Sequence, residues 1–547
     1  MKRKNPVKYI FVLGGVLSGL GKGIVASSLG FLLKSNKYKV TIQKLDPYLN
    51  IDPGTMNPFQ HGEVFVLDDG SETDLDLGHY ERFINENMSS LNTTSAGTVY
   101  WNVLNEERKG NFLGETIQVI PHITNEIKRR IRSVNPNRKF DIIISEVGGT
   151  VGDIESQPFV EAIRQLRLDV GKKNCLIIHT TLLPYINASR EMKTKPTQHS
   201  VMRLRESGLD PDIIVCRTEN SNHLNLKLKK KIALFCNVES NMVFESPDVA
   251  TIYEIPLVLN NQNFDKAIMK KLNLKIDNNQ KDINYLTDFI NSFKKPSYSL
   301  NIAICGKYNS LQDSYKSILE AFVHAGVKNK AKIIITWIDT EKINSGTNFE
   351  LLFKNIDGIL IPGGFGDRGI EGKILCSKYA RENLIPFFGI CLGLQCAIID
   401  IARHLCNFKN SNSSEFNSKT KYPVVDLMND QKGVRLKGAS MRLGSYSCQL
   451  KSNTLAQSAY SKYKVKERHR HRYEVNNLFK EEFKKNGVVF SGINPDLDLI
   501  EIIELKKHPW FLAVQFHPEL KSRIVEPHPL FEDFIKASIG FSNESKQ

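Results

Sequence analysis

No stretch of the 547-residue chain comes near the ~20 uninterrupted apolar residues that a membrane helix requires. Its nine cysteines include no Cys-x-x-Cys pair. That removes the usual frameworks of zinc knuckles and disulfide-stapled domains and fits a reducing, cytoplasmic setting. No segment repeats at the period of a solenoid. The basic clusters Lys227–Lys231 and Lys466–Arg472 lack the interleaved aromatic platform that single-strand binding favours. The formal charge of +15 is therefore read as a preference for anionic small molecules, with neither nucleic acid nor membrane expected as a partner. Lys2, Arg3 and Lys4 ahead of Tyr9–Leu13 imitate a secretory leader. Cleavage near Ser27 would discard the glycine-rich run that ends Gly21-Lys22-Gly23, so the segment is read as part of the mature protein.

What is present is the composition of a globular chain, 41% hydrophobic and 24% charged, too long for one ordinary core. Short β-branched runs alternate with helical patterns, which predicts α/β architecture with parallel sheets. Expected strands in the first half are Tyr9–Leu13, Val40–Leu45, Asp141–Ser145, Asn174–His179 and Asp212–Cys216. A polar stretch holding one helix then ends in Lys294-Lys-Pro-Ser297. A second series follows: Ser299–Cys305, Lys332–Trp337, Asp357–Ile361, Pro386–Phe388, Leu499–Glu504 and Phe511–Phe516. The expected division is 1–265 for a first domain, 266–297 for a linker, 298–540 for a second domain and 541–547 for a tail.

The first strand runs into Gly14-Gly-Val-Leu-Ser-Gly-Leu-Gly-Lys-Gly23 and then a helical pattern. Such a turn offers backbone amides and a helix N-terminus to phosphate oxygens, with Lys22 as a point charge. It departs from the strict Walker A pattern because Gly23 stands where Ser or Thr is usual. Lys44 and Asp46 end the second expected strand, the edge at which doubly wound sheets bind ligands. Asp74 and Asp76 lie in the run Glu72–Tyr80, and Glu146 closes another strand ahead of Gly148-Gly-Thr-Val-Gly-Asp-Ile-Glu155. Carboxylates at strand ends facing a phosphate loop are placed as Mg²⁺ ligands. Solvated loop acids explain each singly and the set poorly.

In the second half, Pro386-Phe-Phe-Gly-Ile-Cys-Leu-Gly-Leu-Gln395 reads as strand, sharp turn and helix, the thiol counterpart of a nucleophile elbow. Cys391 would stand at a helix N-terminus, exposed to substrate; Cys396 and Cys406 are read as packing residues. The last expected strand leads to His517 as base and Glu519 to orient it, a triad able to form a thioester. Ile361-Pro-Gly-Gly-Phe-Gly-Asp-Arg-Gly369 supplies amides for an oxyanion hole.

On these residues the second half resembles class I, triad-type glutamine amidotransferases. The whole chain, from about Lys8 to Phe534, resembles the CTP synthase family. The resemblance is carried by Lys44-Leu-Asp-Pro-Tyr48, Asp52-Pro-Gly-Thr-Met56, Gln60-His-Gly-Glu-Val64, Glu72–Tyr80, Glu146–Glu155, Lys193-Thr-Lys-Pro-Thr-Gln-His199, Gly363–Gly369 and Arg468-His-Arg-His-Arg-Tyr-Glu474. It implies two doubly wound, mostly parallel-sheet domains: a phosphate-loop, dethiobiotin-synthetase-like domain and a class I glutaminase. It also implies an ATP-dependent amination of UTP to CTP, with ammonia from glutamine tunnelled to a 4-phosphorylated intermediate, GTP as activator, CTP as inhibitor and a homotetramer. Gly19, Leu20, Gly21, Lys22, Gly23, Ile24, Asp76, Asp248 and Val249 would hold ATP, with Lys22 and Lys44 catalytic and Asp76 and Glu146 on Mg²⁺. Ser18, Asp153, Ile154, Glu155, Lys193, Thr194, Lys195, Pro196, Thr197, Gln198 and Lys231 would recognise UTP and CTP, Lys229 and Lys230 being alternatives to Lys231. Gly364, Leu392, Gln395, Glu415 and Arg472 would hold glutamine, and His61 and Val64 would lie near the ammonia passage. The basic clusters would meet nucleotide phosphates. Departures from the family pattern are Gly19 in place of Ser and a shortened segment between Val425 and Arg442. A carboxylate-amidating synthetase and a non-enzymatic structural or regulatory protein are the competing readings. The first gives no reason for Lys193–His199, and the second predicts a broken triad or a missing Lys22.

Overall fold

Runs such as Ile142-Ile-Ile144, apolar without alternation, are what a strand buried on both faces requires, and these three side chains are fully buried. The computed structural model describes residues 6–54, 56, 62–219, 224–277, 281–307, 312–427 and 441–545. Seven strands form one all-parallel sheet: β1 (Lys8–Gly14), β2 (Val40–Asp46), β3 (Thr93–Ser95), β4 (Ile142–Val147), β5 (Cys175–Leu183), β6 (Ile213–Thr218) and β7 (Val243–Pro247). Their order is β7-β6-β5-β1-β4-β2-β3. Every loop leaving a carboxyl end therefore opens on one edge, where ligands bind in such sheets. The five strands expected here are present; Thr93–Ser95 and Val243–Pro247 are additions at the two edges.

The second sheet has nine strands: β8 (Tyr298–Gly306), β9 (Ala331–Asp339), β10 (Gly358–Ile361), β11 (Phe387–Ile390), β12 (Arg442–Leu450), β13 (Lys464–His471), β14 (Val488–Asn494), β15 (Leu499–Leu505) and β16 (Phe511–Val514). They are ordered β9-β8-β10-β11-β16-β15-β14-β12-β13. The portion from β9 to β16 is parallel and the portion from β16 to β13 antiparallel. Apolar cores lie against this sheet, with Phe387 and Phe388, neighbours in sequence, in different ones, as the strand's alternation demands.

The chain divides into two units. One comprises residues 1–53 with 76–290, and the other residues 54–75 with 291–547. The excursion 54–75 thus belongs structurally to the second unit. Two helices, Phe264–Lys271 and Lys281–Lys294, occupy the polar stretch in which one was expected. Among the described residues no helix is long and apolar enough to cross a membrane.

The turn after β11 rests on close backbone approach. A Cβ on Gly393 would sit 2.3 Å from the Ile361 carbonyl oxygen, and one on Gly389 would sit 2.8 Å from the Gly393 carbonyl carbon. Backbone cannot yield as a flexible side chain does. Gly393→Ala should therefore destabilise the protein by roughly 1–3 kcal/mol, the usual cost of overpacking. A urea midpoint equal to wild type would show that the turn has slack.

Candidate active sites

In the first unit the loop after β1 delivers Lys22 to the start of the helix Lys22–Ser35, with Gly21 capping it at φ 83°. Lys22 Nζ donates to the Gly149 carbonyl at 2.5 Å, and Val151 N–H donates to the Gly14 carbonyl at 2.8 Å, so the loop after β4 folds over the phosphate loop. Burial, joined by the charge of Lys44, lowers the Lys22 pKa against the pull of Glu146 and Asp76.

Lys44 is 5% exposed at the end of β2. Its Nζ lies 3.0 Å from Glu146 Oε1 and 3.9 Å from Asp46 Oδ1, and it forms an ion pair with Asp76. Burial opposes its charge, but the three carboxylates prevail and hold its pKa well above the usual value. Tyr80 O–H donates to the other Glu146 oxygen. Burial and the nearby Asp76 raise the Glu146 pKa, while Asp76, although buried, is lowered by Lys44. Negative charge at this spot is thus in excess, which favours a cation, and paired carboxylate oxygens suit Mg²⁺ completed by phosphate and water. Gly23 fits the same arrangement. A Cβ there would come 2.4 Å from Asp76 Oδ1 and 3.1 Å from Glu146 Oε2, so the acids occupy the space beside the loop where a Walker hydroxyl would project.

The remaining residues of this half lie around the same edge. Gly19 (φ 75°) is open, Ser18 exposed, Leu20 buried and Ile24 half-buried. Asp153, Ile154 and Glu155 are exposed in the loop after β4. Lys193 pairs with Glu191; Thr194 and Lys195 open the helix Lys195–Glu206, with Pro196 in its first turn. Thr197 Oγ1 donates to the Leu182 carbonyl at 3.0 Å, and Gln198 Nε2 donates to Thr194 Oγ1 at 3.0 Å. Of the three alternative lysines, Lys231 is one whose charge acts on Glu191, the partner of Lys193. Asp248 is exposed, Val249 half-buried. Asp248 accepts a 2.9 Å bond from Arg217 Nε. A Cβ on Gly21 would lie 3.2 Å from Arg217 Nη1, so Arg217 joins the phosphate loop to Asp248. Sequence reasoning passed over Arg217 although it ends β6, the position that drew attention to Lys44 on β2.

In the second unit Cys391 has φ 51° and ψ −98°, a conformation L residues rarely adopt, and caps the helix Leu392–His404. Its N–H donates to the Val514 carbonyl at 2.7 Å, tying the elbow to β16. Strain of this kind costs about 1–3 kcal/mol and gathers at functional sites. Gln515 Nε2 lies 3.7 Å from Cys391 Sγ, a partner not foreseen. His517 Nδ1 is 2.7 Å from Glu519 Oε1, while its Nε2 is buried without a hydrogen-bond partner among the described residues. Burial would lower the His517 pKa, yet Glu519 and the Cys391 sulfur raise it to about 10. Gly363 makes room for this pair: a Cβ there would stand 2.7 Å from His517 Cε1 and 3.6 Å from Cys391 Cβ. Burial pushes the thiols of Cys396 and Cys406 up to about 12 and about 11, as fits packing residues.

Around the elbow, a Cβ on Gly364 would approach Leu392 Cδ2 to 3.3 Å. Gln395 Nε2 donates to the Tyr473 carbonyl at 3.0 Å, and Glu415 accepts from Gly366 N–H at 3.3 Å. Burial raises the Glu415 pKa, with Lys307 and Arg472 among the charges opposing it. These five expected residues thus collect beside Cys391, joined by Lys307, which donates to the Phe365 carbonyl. A cavity of about 290 Å³ adjoins them, lined by His517, Glu519 and Gly364 and also by Gly54, Met56 and Val64 of the excursion. His61 lies outside the described residues.

The cluster Lys466–Arg472 corrects an expectation. Arg468 is fully buried against Asp68, Arg470 pairs with Glu72, and His469 and His471 are buried. Burial, reinforced by Arg442, depresses the pKa of both histidines. Much of this charge is neutralised inside the unit, because alternate residues of β13 face carboxylates rather than solvent.

A family model described as CTP synthase N-terminus matches residues 8–274, and one described as glutamine amidotransferase class-I matches residues 310–537. The CTP synthase of Clostridium kluyveri is 57% identical over 533 residues, covering 97% of this chain and 98% of that protein. That of Caldanaerobacter subterraneus subsp. tengcongensis is 54% identical over 533 residues, with the same coverage of 97% and 98%. That of Cytophaga hutchinsonii is 52% identical over 542 residues, 99% of this chain and 100% of that protein. Both halves are matched in order and the relatives are covered nearly from end to end: the chain belongs to the CTP synthase family.

Proposed function

We propose that the chain is a glutamine-hydrolysing ligase that aminates UTP at C4, converting UTP, ATP, glutamine and water to CTP, ADP, phosphate and glutamate. The observation that supports this reading is that one chain holds two separate clusters of chemically apt side chains. One is a phosphate loop backed by Lys22, Lys44, Asp76 and Glu146; the other is a strained cysteine beside a His–Glu pair.

In the first centre Gly19 to Ile24 hold ATP phosphates through backbone amides, and Asp248 and Val249, braced by Arg217, meet the adenosine end. Asp76 and Glu146 would hold Mg²⁺, which would supply positive charge against the phosphates. Lys22 and Lys44 stabilise the phosphoryl group as it passes to the uracil O4. Ser18, Asp153–Glu155, Lys193–Gln198 and Lys231 bind UTP, and CTP as inhibitor. In the second centre Cys391 Sγ attacks the glutamine carboxamide carbon while Gly364 and Leu392 amides receive the developing oxyanion. His517 takes up the Cys391 thiol proton and, as imidazolium, gives it to departing ammonia; it afterwards takes a proton from the water that cleaves the thioester and returns it to the released sulfur. Glutamine is held by Gln395, Glu415 and Arg472. Ammonia then displaces the phosphate from C4, a step that calls for a path sheltered from bulk water, and the cavity lined by Val64 is its entrance. GTP activates hydrolysis, and the working form is a cytoplasmic homotetramer.

The primary test is CTP formation from UTP, ATP and Mg²⁺ with glutamine or ammonia as nitrogen source. Cys391→Ala should lower the glutamine-dependent rate by roughly 10⁴-fold or more and leave the ammonia-dependent rate intact. Glutamine hydrolysis with no CTP from either source would overturn the reading. Lys22→Ala should abolish both syntheses, and survival of the ammonia reaction would remove Lys22 from the phosphoryl-transfer site. A pH series tests the His–Glu pair. Glu519 helps to keep His517 protonated up to about pH 10. Glu519→Gln should therefore move the alkaline limb of kcat/KM for glutamine hydrolysis to lower pH, whereas an unmoved limb would deny Glu519 that influence.

A further inference from the structure

Two arginines on one strand connect the excursion 54–75 to the nucleophile. On β13, Arg468 and Arg470 are two residues apart and share a face. Arg468, fully buried, donates from Nε to Asp68 Oδ1 at 2.7 Å and from Nη1 to the Leu520 carbonyl at 3.3 Å. Its guanidinium lies 5.4 Å from the centre of the Phe65 ring. Arg470 donates from Nε to Glu72 Oε1 at 2.7 Å and from Nη2 to the Gly54 carbonyl at 3.1 Å, with its guanidinium 4.9 Å from the Phe365 ring.

The backbone of these same two residues meets the catalytic pair. The Arg468 carbonyl accepts the His517 N–H at 2.8 Å, and the Arg470 carbonyl lies 3.9 Å from Cys391 Sγ. Asp68 and Glu72 sit in the short hairpin whose strands Phe65–Val66 and Glu72–Thr73 pair antiparallel. The hairpin is fastened to the rest of the unit elsewhere as well. Ser445 N–H donates to the Asp68 carbonyl at 3.0 Å, and just ahead of the hairpin the single Ser317 N–H is shared between the two Glu63 carboxylate oxygens, at 3.0 and 2.9 Å, with the Ser317 hydroxyl donating to Glu63 Oε1 as well.

A hairpin that only shielded surface would have no use for ion pairs sunk into the strand that carries the nucleophile's neighbours. We propose that the hairpin 65–73 is a clamp on the glutaminase centre, in which Asp68 and Glu72 are positioning residues that act through Arg468 and Arg470 on His517 and Cys391. The inference rests on the glutaminase reading above. The clamp holds β13 at the height at which His517 and the thiol face each other. With the carboxylates removed, the arginines would draw toward water and carry their carbonyls with them. Displacements of about 1 Å in such sites cost on the order of 10²-fold in rate.

The test uses the full chain with Asp68→Asn, Glu72→Gln and the double variant, alongside Cys391→Ala. Glutamine hydrolysis, ammonia-dependent CTP formation, the rate of Cys391 alkylation by iodoacetamide across pH and the thermal midpoint are measured on each. The expected result is a fall of about 10- to 100-fold in kcat for glutamine hydrolysis, an altered alkylation profile and unchanged synthesis from ammonia. Asp68→Glu should recover part of the loss. Wild-type hydrolysis and alkylation in the double variant would overturn the clamp, as would parallel loss of both activities in step with a lower midpoint. Should the double variant fail to fold, the milder Glu72→Gln decides by the same measures. Failure of the wild-type chain to hydrolyse glutamine would instead strike the underlying glutaminase reading.

Discussion

A lysine ammonium that is 5% exposed keeps its charge only if anions surround it, and Lys44 is the group around which the first unit is arranged. Asp46 comes from its own strand, Glu146 from the adjacent β4, and Asp76 from the chain's return after the excursion. Three distant stretches of sequence must therefore meet at one ammonium before the edge above β1, β2 and β4 has its shape. The same demand holds the phosphate loop, because Lys22 approaches the carboxylates from the other side and is fixed there by the Gly149 carbonyl. The charge state of Lys44 is thus set jointly by acids from three separate stretches of the chain.

The second unit solves a different problem, that of presenting a thiol on strained backbone. Cys391 is pinned by its bond to Val514, by the glycines at 389 and 393 that let strand and helix approach, and by Gly363, which leaves space for the imidazole. Neighbouring elements thus make up the strain energy. Parallel strands β11 and β16 bring Cys391 and His517 to the same end of the sheet.

How far the sequence could be read follows from the same physics. Strands of the parallel cores were legible because burial on both faces demands unbroken apolar runs, as in Ile142–Ile144 or Phe387–Phe388. The antiparallel strands β12, β13 and β14 were not, because their alternation is mixed with polar residues that are paired inside the protein. β13 is the extreme instance: Lys-Glu-Arg-His-Arg-His looks solvated until its partners Asp68, Glu72 and Glu501 are known, and they come from far along the chain. The cysteine elbow and the phosphate loop were legible because the geometry of each is local, a turn between one strand and one helix, and His517 and Glu519 because they stand two residues apart after a strand. Arg217, Lys307 and Gln515 were missed because each acts through partners distant in sequence, Asp248, Phe365 and Cys391.

The partners in the half-buried pair Asp68–Arg468 are 400 residues apart in sequence. On a ribosome adding about 5–20 residues per second, the hairpin emerges roughly 20–80 s before its arginine exists. The glutaminase half can then acquire its final form only once β13 and the His517 segment have been made, long after the hairpin that packs against them.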